Sequence, residues 1–320
     1  MKNFGIINFR LSIKVETLYI RRKLMKNFYV FTDSTSDVEK NYREELDFGY
    51  LKMAFRIDEK DYDADLEWGA LPAKDFYNIL RQGNRATTNQ ILTTEVEKKF
   101  DEAFAKGLDV FYLACSSKLS TSVNYAKVIG EEIVAKYPGR KFVCYDSLRS
   151  CYAEGMMAMD AARMANEGKT IDDVVKYFDE YKLNYQTFAT VGSLNWLKMA
   201  GRVKASAAFF GNLFGVKPII CGDTKGNNYG FKKVKGRKTS LDELVAITVE
   251  RLENKENAVV YVENADCLQD AEYVAKEIKA KTNCKEVHVS TLGPIIGASC
   301  GPDTITVNFY GKKMDITGEE

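Results

Sequence analysis

The chain has 320 residues, 45% hydrophobic and 28% charged, with 46 basic against 45 acidic side chains and a formal net charge of +1. That length accommodates two α/β domains, and the even charge balance argues against a nucleic-acid binder or a protein held on an anionic membrane. Seven cysteines without a C-x-x-C pair argue against a disulfide framework and a zinc site, and no apolar run reaches the ~18 residues of a membrane span.

A reduced, cytoplasmic protein with a small partner is therefore expected. The first feature along the chain is a repetition, M-K-N-F at residues 1–4 and again at 25–28. Periodic sequence begins with the second copy, so Met25 is the expected start. Residues 1–24 are then upstream translation or a loosely docked extension, with a first strand over 4–13 as the alternative.

From Phe28 onward, short β-rich runs alternate with helical patterns, which predicts βαβ units and a largely parallel sheet. The runs are FYVFT (28–32), DVFYLA (109–114) and KFVCY (141–145), and helices are predicted over 94–106, 121–136 and 152–167. Pro138-Gly139 and Gly168 act as stop signals. After Lys169 the pattern changes to a helix over 171–183, a run QTFATVG, and KPIICGDTKGNNYGFKKV, whose turn-rich centre between apolar arms predicts a hairpin. Helices over 241–252 and 269–281 flank a strand AVVYVE, and strands EVHVSTL and TITVNF bracket a small-residue loop. The expected organisation is an extension at 1–24, an N-terminal domain at 25–170 and a C-terminal domain at 171–320.

That loop contains GASCG (297–301), a match to the G-x-S-x-G turn of serine hydrolases. The turn requires a helix after the serine and a histidine downstream. Here Pro302 and a β-rich run follow Ser299, and the single histidine, His288, precedes it. Cys300 reads as a small buried filler and His288, between Val287 and Val289, as a structural histidine. The Walker-like Gly168-Lys169-Thr170 lacks its upstream glycine, because Arg163 stands there. DSTSD (33–37) has Thr35 where a phosphatase aspartate loop needs its second carboxylate. What recurs instead is a Ser/Thr-rich loop after a predicted strand: DSTSD, ATTNQ (86–90), SSKLSTS (116–122), VGSLN (191–195) and GASCG. Loops at the carboxyl edge of an α/β sheet are where ligands bind, and hydroxyls with free helix N–H groups suit an oxyanion. Helix capping is the plainer reading of any one of them.

Six motifs in order resemble the DegV family of fatty-acid-binding proteins: TDSTSD, TTNQ (for TTSQ), SSKLSTS (for SSKLSGT), LKMAGRV (for LKKGGRI), FGVKPII and GPIIGASCGPD (for GPVIGTHTGPG). The resemblance runs from about Phe28 to Phe309. It implies a two-domain α/β fold, with an N-terminal, mainly parallel Rossmann-like sheet, a C-terminal domain with a mixed or antiparallel sheet, and the ligand between them. It implies a long-chain fatty acid as ligand, no catalytic residue, metal or cofactor, a monomer when free, and a fatty acid kinase catalytic subunit as partner. Carried over by position, Thr88 and Ser120 hold the carboxylate. Ser34, Thr87, Asn89, Thr121, Arg202, Ser299 and Asp303 lie near the head group or where the partner docks.

The apolar tunnel has two candidates, the methionine-rich helix AEGMMAMDAARMA and the run AAFFGNLFGV (207–216), either of which is equally plain core. There are three departures: Ser299 replaces the family's histidine, Asp303 its final glycine, and Thr121 the glycine of SGT. The first puts coupling to a kinase in doubt, and the second sets a repelling carboxylate near a fatty-acid anion unless it points away. Two alternatives stand beside this reading. One is a degenerate paralogue holding another apolar ligand. The other is an enzyme in which Cys300 or Ser299 reacts with a small acid.

Overall fold

Apolar runs rich in β-branched and aromatic residues become strands where both faces are covered, and amphipathic runs become the helices that cover them. The computed structural model describes residues 26–204, 209 and 215–318. Its first half runs β1 (Phe28–Asp33), α1 (Lys40–Leu46), β2 (Gly49–Leu51), β3 (Met53–Ile57), β4 (Lys60–Ala64), α2 (Ala73–Arg81), β5 (Ala86–Asn89), α3 (Thr93–Ala105), β6 (Asp109–Ala114), α4 (Ser122–Val134), β7 (Phe142–Asp146) and α5 (Cys151–Asn166). The second half runs α6 (Ile171–Tyr181), β8 (Tyr185–Thr190), α7 (Leu194–Ala200), β9 (Val203–Lys204), β10 (Val216–Gly222), β11 (Asn228–Lys235), α8 (Arg237–Arg251), β12 (Val259–Asn264), α9 (Leu268–Thr282), β13 (Glu286–Thr291), α10 (Pro294–Cys300) and β14 (Ile305–Tyr310).

Strands β2, β1, β6 and β7 form a sheet in that order with every pairing parallel. The second half forms a seven-stranded sheet, β13-β12-β14-β8-β10-β11-β9. It is mixed, with β12–β13 and β11–β9 parallel and the other pairs antiparallel. Both sheets of the expected two-domain α/β fold are therefore present. The β10–β11 hairpin is also as expected, and its turn is held by Asp223 Oδ1, which accepts from the backbone of Lys225 and Asn227 at 2.8 Å each. Thr170 of the Walker-like stretch caps α6: its hydroxyl accepts from Asp173 N (3.2 Å) while the Asp173 carboxylate accepts from Thr170 N (2.8 Å).

Two expectations change. ATTNQ is not a loop after a strand, because its first four residues are themselves β5, pairing antiparallel with β3 in a separate sheet with β4. The exposed, charged face of β4 hid this sheet from a reading of apolar runs. GASCG belongs to a helix, α10, rather than a loop. Pro294 opens that helix, and Gly301, at φ 74°, ends it. The first MKNF copy, Met25, the segment 1–24 and most of the run 207–216 lie outside the described residues.

The methionine-rich α5 packs against β1 and β6 of the parallel sheet and against β8 and β14 of the mixed sheet. Apolar partners on both sides explain why Met156, Met157 and Met159 are all buried and why the helix shows no polar stripe over its first three turns. Gly155 is required by this fit. A Cβ there would lie 2.4 Å from Val38 Cγ2 and 2.6 Å from the carbonyl oxygen of Ser36, and backbone cannot yield cheaply. Gly155→Ala is expected to cost about 1–3 kcal/mol despite alanine's better helix propensity. Thermal unfolding should show a midpoint several degrees lower, and an unchanged midpoint would contradict the packing described.

Candidate functional site

In parallel strands the carboxyl ends share one edge, so the segments after β1, β6 and β7 are brought together there. Facing them are side chains of β8 and β10, Thr306 of β14, and α10. The two halves enclose a cavity of about 690 Å³, within the ~300–1,000 Å³ typical of small-molecule sites. One end is polar, with Thr88, Asn89, Gln90, Ser120 and Thr121. A wall is apolar, with Ala189, Val191, Leu197, Ile220, Ile295 and Ile296.

Of the residues singled out in the sequence, Thr88, Asn89, Ser120, Thr121, Arg202 and Ser299 line this cavity. Thr87 lines a cleft of about 80 Å³ that shares Thr88, Arg202 and Ser299 with it. Ser34 and Asp303 line neither. Ser34 is buried, donates to the Ala64 carbonyl (2.7 Å) and accepts from Met53 N (3.0 Å), so it ties the turn after β1 to the three-stranded sheet. Asp303 is gripped from outside by the fork of Arg81, at 2.8 and 3.0 Å. Arg81 and Lys74 both pair with Asp266 as well. The repulsion expected from Asp303 is thus met by a guanidinium, which its two carboxylate partners hold more firmly protonated than usual.

The hydroxyl end is built by β5 and by the N-terminus of α4. Thr88 pairs with Phe55 across β5–β3, and its hydroxyl has no hydrogen-bond partner among the described residues. Ser120 Oγ accepts from Ser122 N (3.2 Å) and donates to Ser122 Oγ (2.9 Å), which also accepts from Ile91 N (3.2 Å). A carboxylate accepts more strongly than a neutral hydroxyl, so a ligand at this mouth can take the Ser120 proton from Ser122. The free N–H groups and positive dipole end of α4 add to this. Thr121 bonds Gln90 Oε1 (3.1 Å), and Lys118 stands at the same mouth. Arg202 donates to the carbonyl of Ala200 and remains exposed.

Sequence reasoning missed Lys118, Gln90, Ser122 and Thr35. It also missed the convergence of Cys115, Cys151, Cys221 and Cys300 on one cavity, which come from the segment after β6, from α5, from β10 and from α10 and share no spacing signal. Burial raises all four thiols, Cys221 and Cys300 to about 12 and the other two well above their ordinary value. They act as small apolar lining. Of the two tunnel candidates from the sequence, the α5 methionines sit in the core, and most of the other run lies outside the described residues.

Thr35 Oγ1 lies 2.6 Å from both Asp33 Oδ1 and Glu154 Oε2. One hydroxyl proton cannot serve two acceptors, so one carboxyl must itself donate. Asp33 already accepts from Thr35 N, Tyr112 OH and Cys115 N. Glu154, raised well above its ordinary range by burial and then by the Asp33 charge, keeps the proton. These contacts consume the carboxylate that the phosphatase reading would need. Ser299 Oγ donates to the Ile295 carbonyl (3.2 Å). His288 is bonded through Nε2 to Glu39 Oε1 (2.7 Å) and packed against Tyr42 and Tyr261. No group of three or more His, Cys, Asp or Glu among the described residues is arranged to hold a metal ion. No helix there is long and apolar enough to cross a membrane.

A family model described as "Uncharacterised protein, DegV family COG1307" matches residues 27–312. A DegV domain-containing protein of Clostridium perfringens is 34% identical over 287 residues, covering 90% of this chain and 98% of its own. Among solved structures, DegV of Bacillus subtilis, described as a fatty acid binding protein, has a TM-score of 0.76 at 25% identity over 90% of this chain and 100% of its own. A fatty acid (stearic acid)-binding protein of Eubacterium ventriosum has a TM-score of 0.79 at 21% identity, over 89% of this chain and 99% of its own.

Raised thiols react slowly, because the thiolate is the nucleophile. Iodoacetamide at pH 8 should leave the four cavity cysteines of the native protein largely unlabelled over a time that labels all seven in the unfolded chain. Peptide mass spectrometry showing rapid, selective labelling of Cys300 would contradict this and favour a reactive cysteine.

Proposed function

Because the chain belongs to the DegV family, we propose that it binds a long-chain fatty acid in this cavity, with the carboxylate on the hydroxyls of Thr88 and Ser120. The observation that supports the reading best is the pairing, in one cavity of about 690 Å³, of a hydroxyl-lined end at a helix N-terminus with an apolar wall. A carboxylate needs strong donors when it leaves water, and O–H groups with helix N–H groups supply them. The wall takes the tail, at about 0.8 kcal/mol per buried methylene. The Bacillus subtilis and Eubacterium ventriosum neighbours, described as fatty-acid-binding, agree with it. Asn89, Thr121 and Arg202 complete the mouth, and the domain division falls near residue 170.

The same reading makes the protein a binding subunit rather than an enzyme. It acts in the cytoplasm as a monomer and presents the carboxylate to a separate fatty acid kinase subunit at the face that carries Arg202, Thr87 and Ser299. Ser299, bonded back into its own helix, supplies no proton-handling group there.

Delipidated protein should retain radiolabelled oleate or palmitate at one per chain. Thr88→Ala and Ser120→Ala should each weaken binding about ten- to hundredfold, the loss of a hydrogen bond to a charged group. No retention by the wild type, or unchanged retention by the double variant, would overturn the proposal. With a kinase subunit and ATP, Ser299→His should raise acyl-phosphate yield above that of the wild type. An unchanged yield would point to a binding role alone.

A further inference from the structure

Asp37, in the turn after β1, and Glu263, on β12, are both buried, at 5% and 0% exposure. Glu263 Oε2 accepts from Thr306 Oγ1 (2.7 Å), Asn308 Nδ2 (2.8 Å) and Tyr152 N (3.3 Å). Glu263 Oε1 and both oxygens of Asp37 meet no donor in hydrogen-bonding geometry among the described residues. The two carboxyls face each other, and two acceptors can satisfy one another only with a proton between them. Gly293, just before α10, leaves room for the pair, since a Cβ there would come within 2.0 Å of Asp37 Oδ1.

We propose that the Asp37–Glu263 carboxyl pair is a pH-operated latch between the two halves of the molecule: a shared proton holds the cavity closed, and its loss lets the halves part and the ligand leave. The pair joins the parallel sheet's β1 turn to the mixed sheet. It also adjoins the cavity, since Thr306, which donates to Glu263, lines it. The groups around it do not replace the proton. Glu154, on α5, holds its own proton, and Tyr77, Cys151 and Cys300 are raised and stay neutral. Neither carboxyl makes an ion pair with a Lys, Arg or His among the described residues. The nearby cation is His288, on β13, which is paired with Glu39. Burial raises both acids, Glu263 to about 7. A carboxyl raised in the closed form favours closure at low pH, and that contribution is lost as pH rises from the ordinary carboxylate range through its closed-state value. His288, raised by its bond to Glu39, loses its charge in the same direction.

The latch is read through the fatty-acid site proposed above and also independently of it. Protein loaded with a fluorescent polyene fatty acid should release it, on displacement by excess oleate, at least tenfold faster at pH 8.5 than at pH 5.5, one proton allowing up to about tenfold per pH unit. Asp37→Asn replaces the shared proton with an amide and suits the left-handed backbone at φ 54°. Its release rate should stay within about twofold across that range, whereas His288→Gln should keep the rise. A pH-independent wild type, or an equal rise in Asp37→Asn, overturns the latch. If no fatty acid binds at any pH, the reading of the cavity fails instead. Thermal unfolding of ligand-free protein then decides: the wild-type midpoint should fall from pH 5.5 to 8.5 relative to that of Asp37→Asn, and parallel curves overturn the latch.

Discussion

The turn Asp33–Thr35–Asp37 must satisfy a row of buried polar groups, and in doing so it fastens four parts of the molecule at one point. Asp33 takes donors from Tyr112 of β6 and from Cys115 just after it. Ser34 holds the three-stranded sheet through Ala64 and Met53. Thr35 reaches Glu154 of α5, and Asp37 faces Glu263 of the mixed sheet. A buried carboxyl or hydroxyl without a partner costs several kcal/mol, so each contact constrains where its partner element can lie. The cavity is the space left when those constraints are met. Its polar end follows from β5 and α4 and its apolar wall from β8 and β10.

The charge arrangement around that space suits an anion at one end only. Hydroxyls and helix N–H groups collect at Thr88 and Ser120, while the carboxylates that could repel an anion are neutralised or displaced. Glu154 holds a proton, Asp33 is saturated by donors, and Asp303 is turned outward to Arg81. Asp303 also shows why a residue that departs from a family pattern has to be placed before it is judged. The same substitution that suggests repulsion in the sequence supplies an ion pair joining α2 to the segment before β14.

Much of this was legible in the sequence because strand and helix periods are local. The alternation from β1 to α5, the β10–β11 hairpin and the stops at Pro138-Gly139 and Gly168 depend on neighbouring residues, and the structure keeps them. What was hidden is tertiary. The charged exposed face of β4 concealed a sheet, and the small residues of α10 concealed a helix framed by Pro294 and Gly301. Four cysteines far apart in sequence meet in one cavity, and Asp37 and Glu263 meet across 226 positions of chain, 263 less 37. The methionines of α5 show the converse. A methionine-rich helix with no polar stripe over its first three turns reads equally as tunnel or core, and only the two sheets packed against it make it core.

The central claim is that the space between the two sheets is a fatty-acid site with its acid end at Thr88 and Ser120. Native mass spectrometry of the protein as purified from a bacterial host tests it most directly, since it weighs whatever occupies the site. The account predicts a single adduct per chain with the mass of a long-chain fatty acid, strongly reduced in the Thr88→Ala, Ser120→Ala double variant. A chain that carries no lipid after exposure to a fatty-acid mixture, or the same adduct in undiminished amount in the double variant, would contradict it.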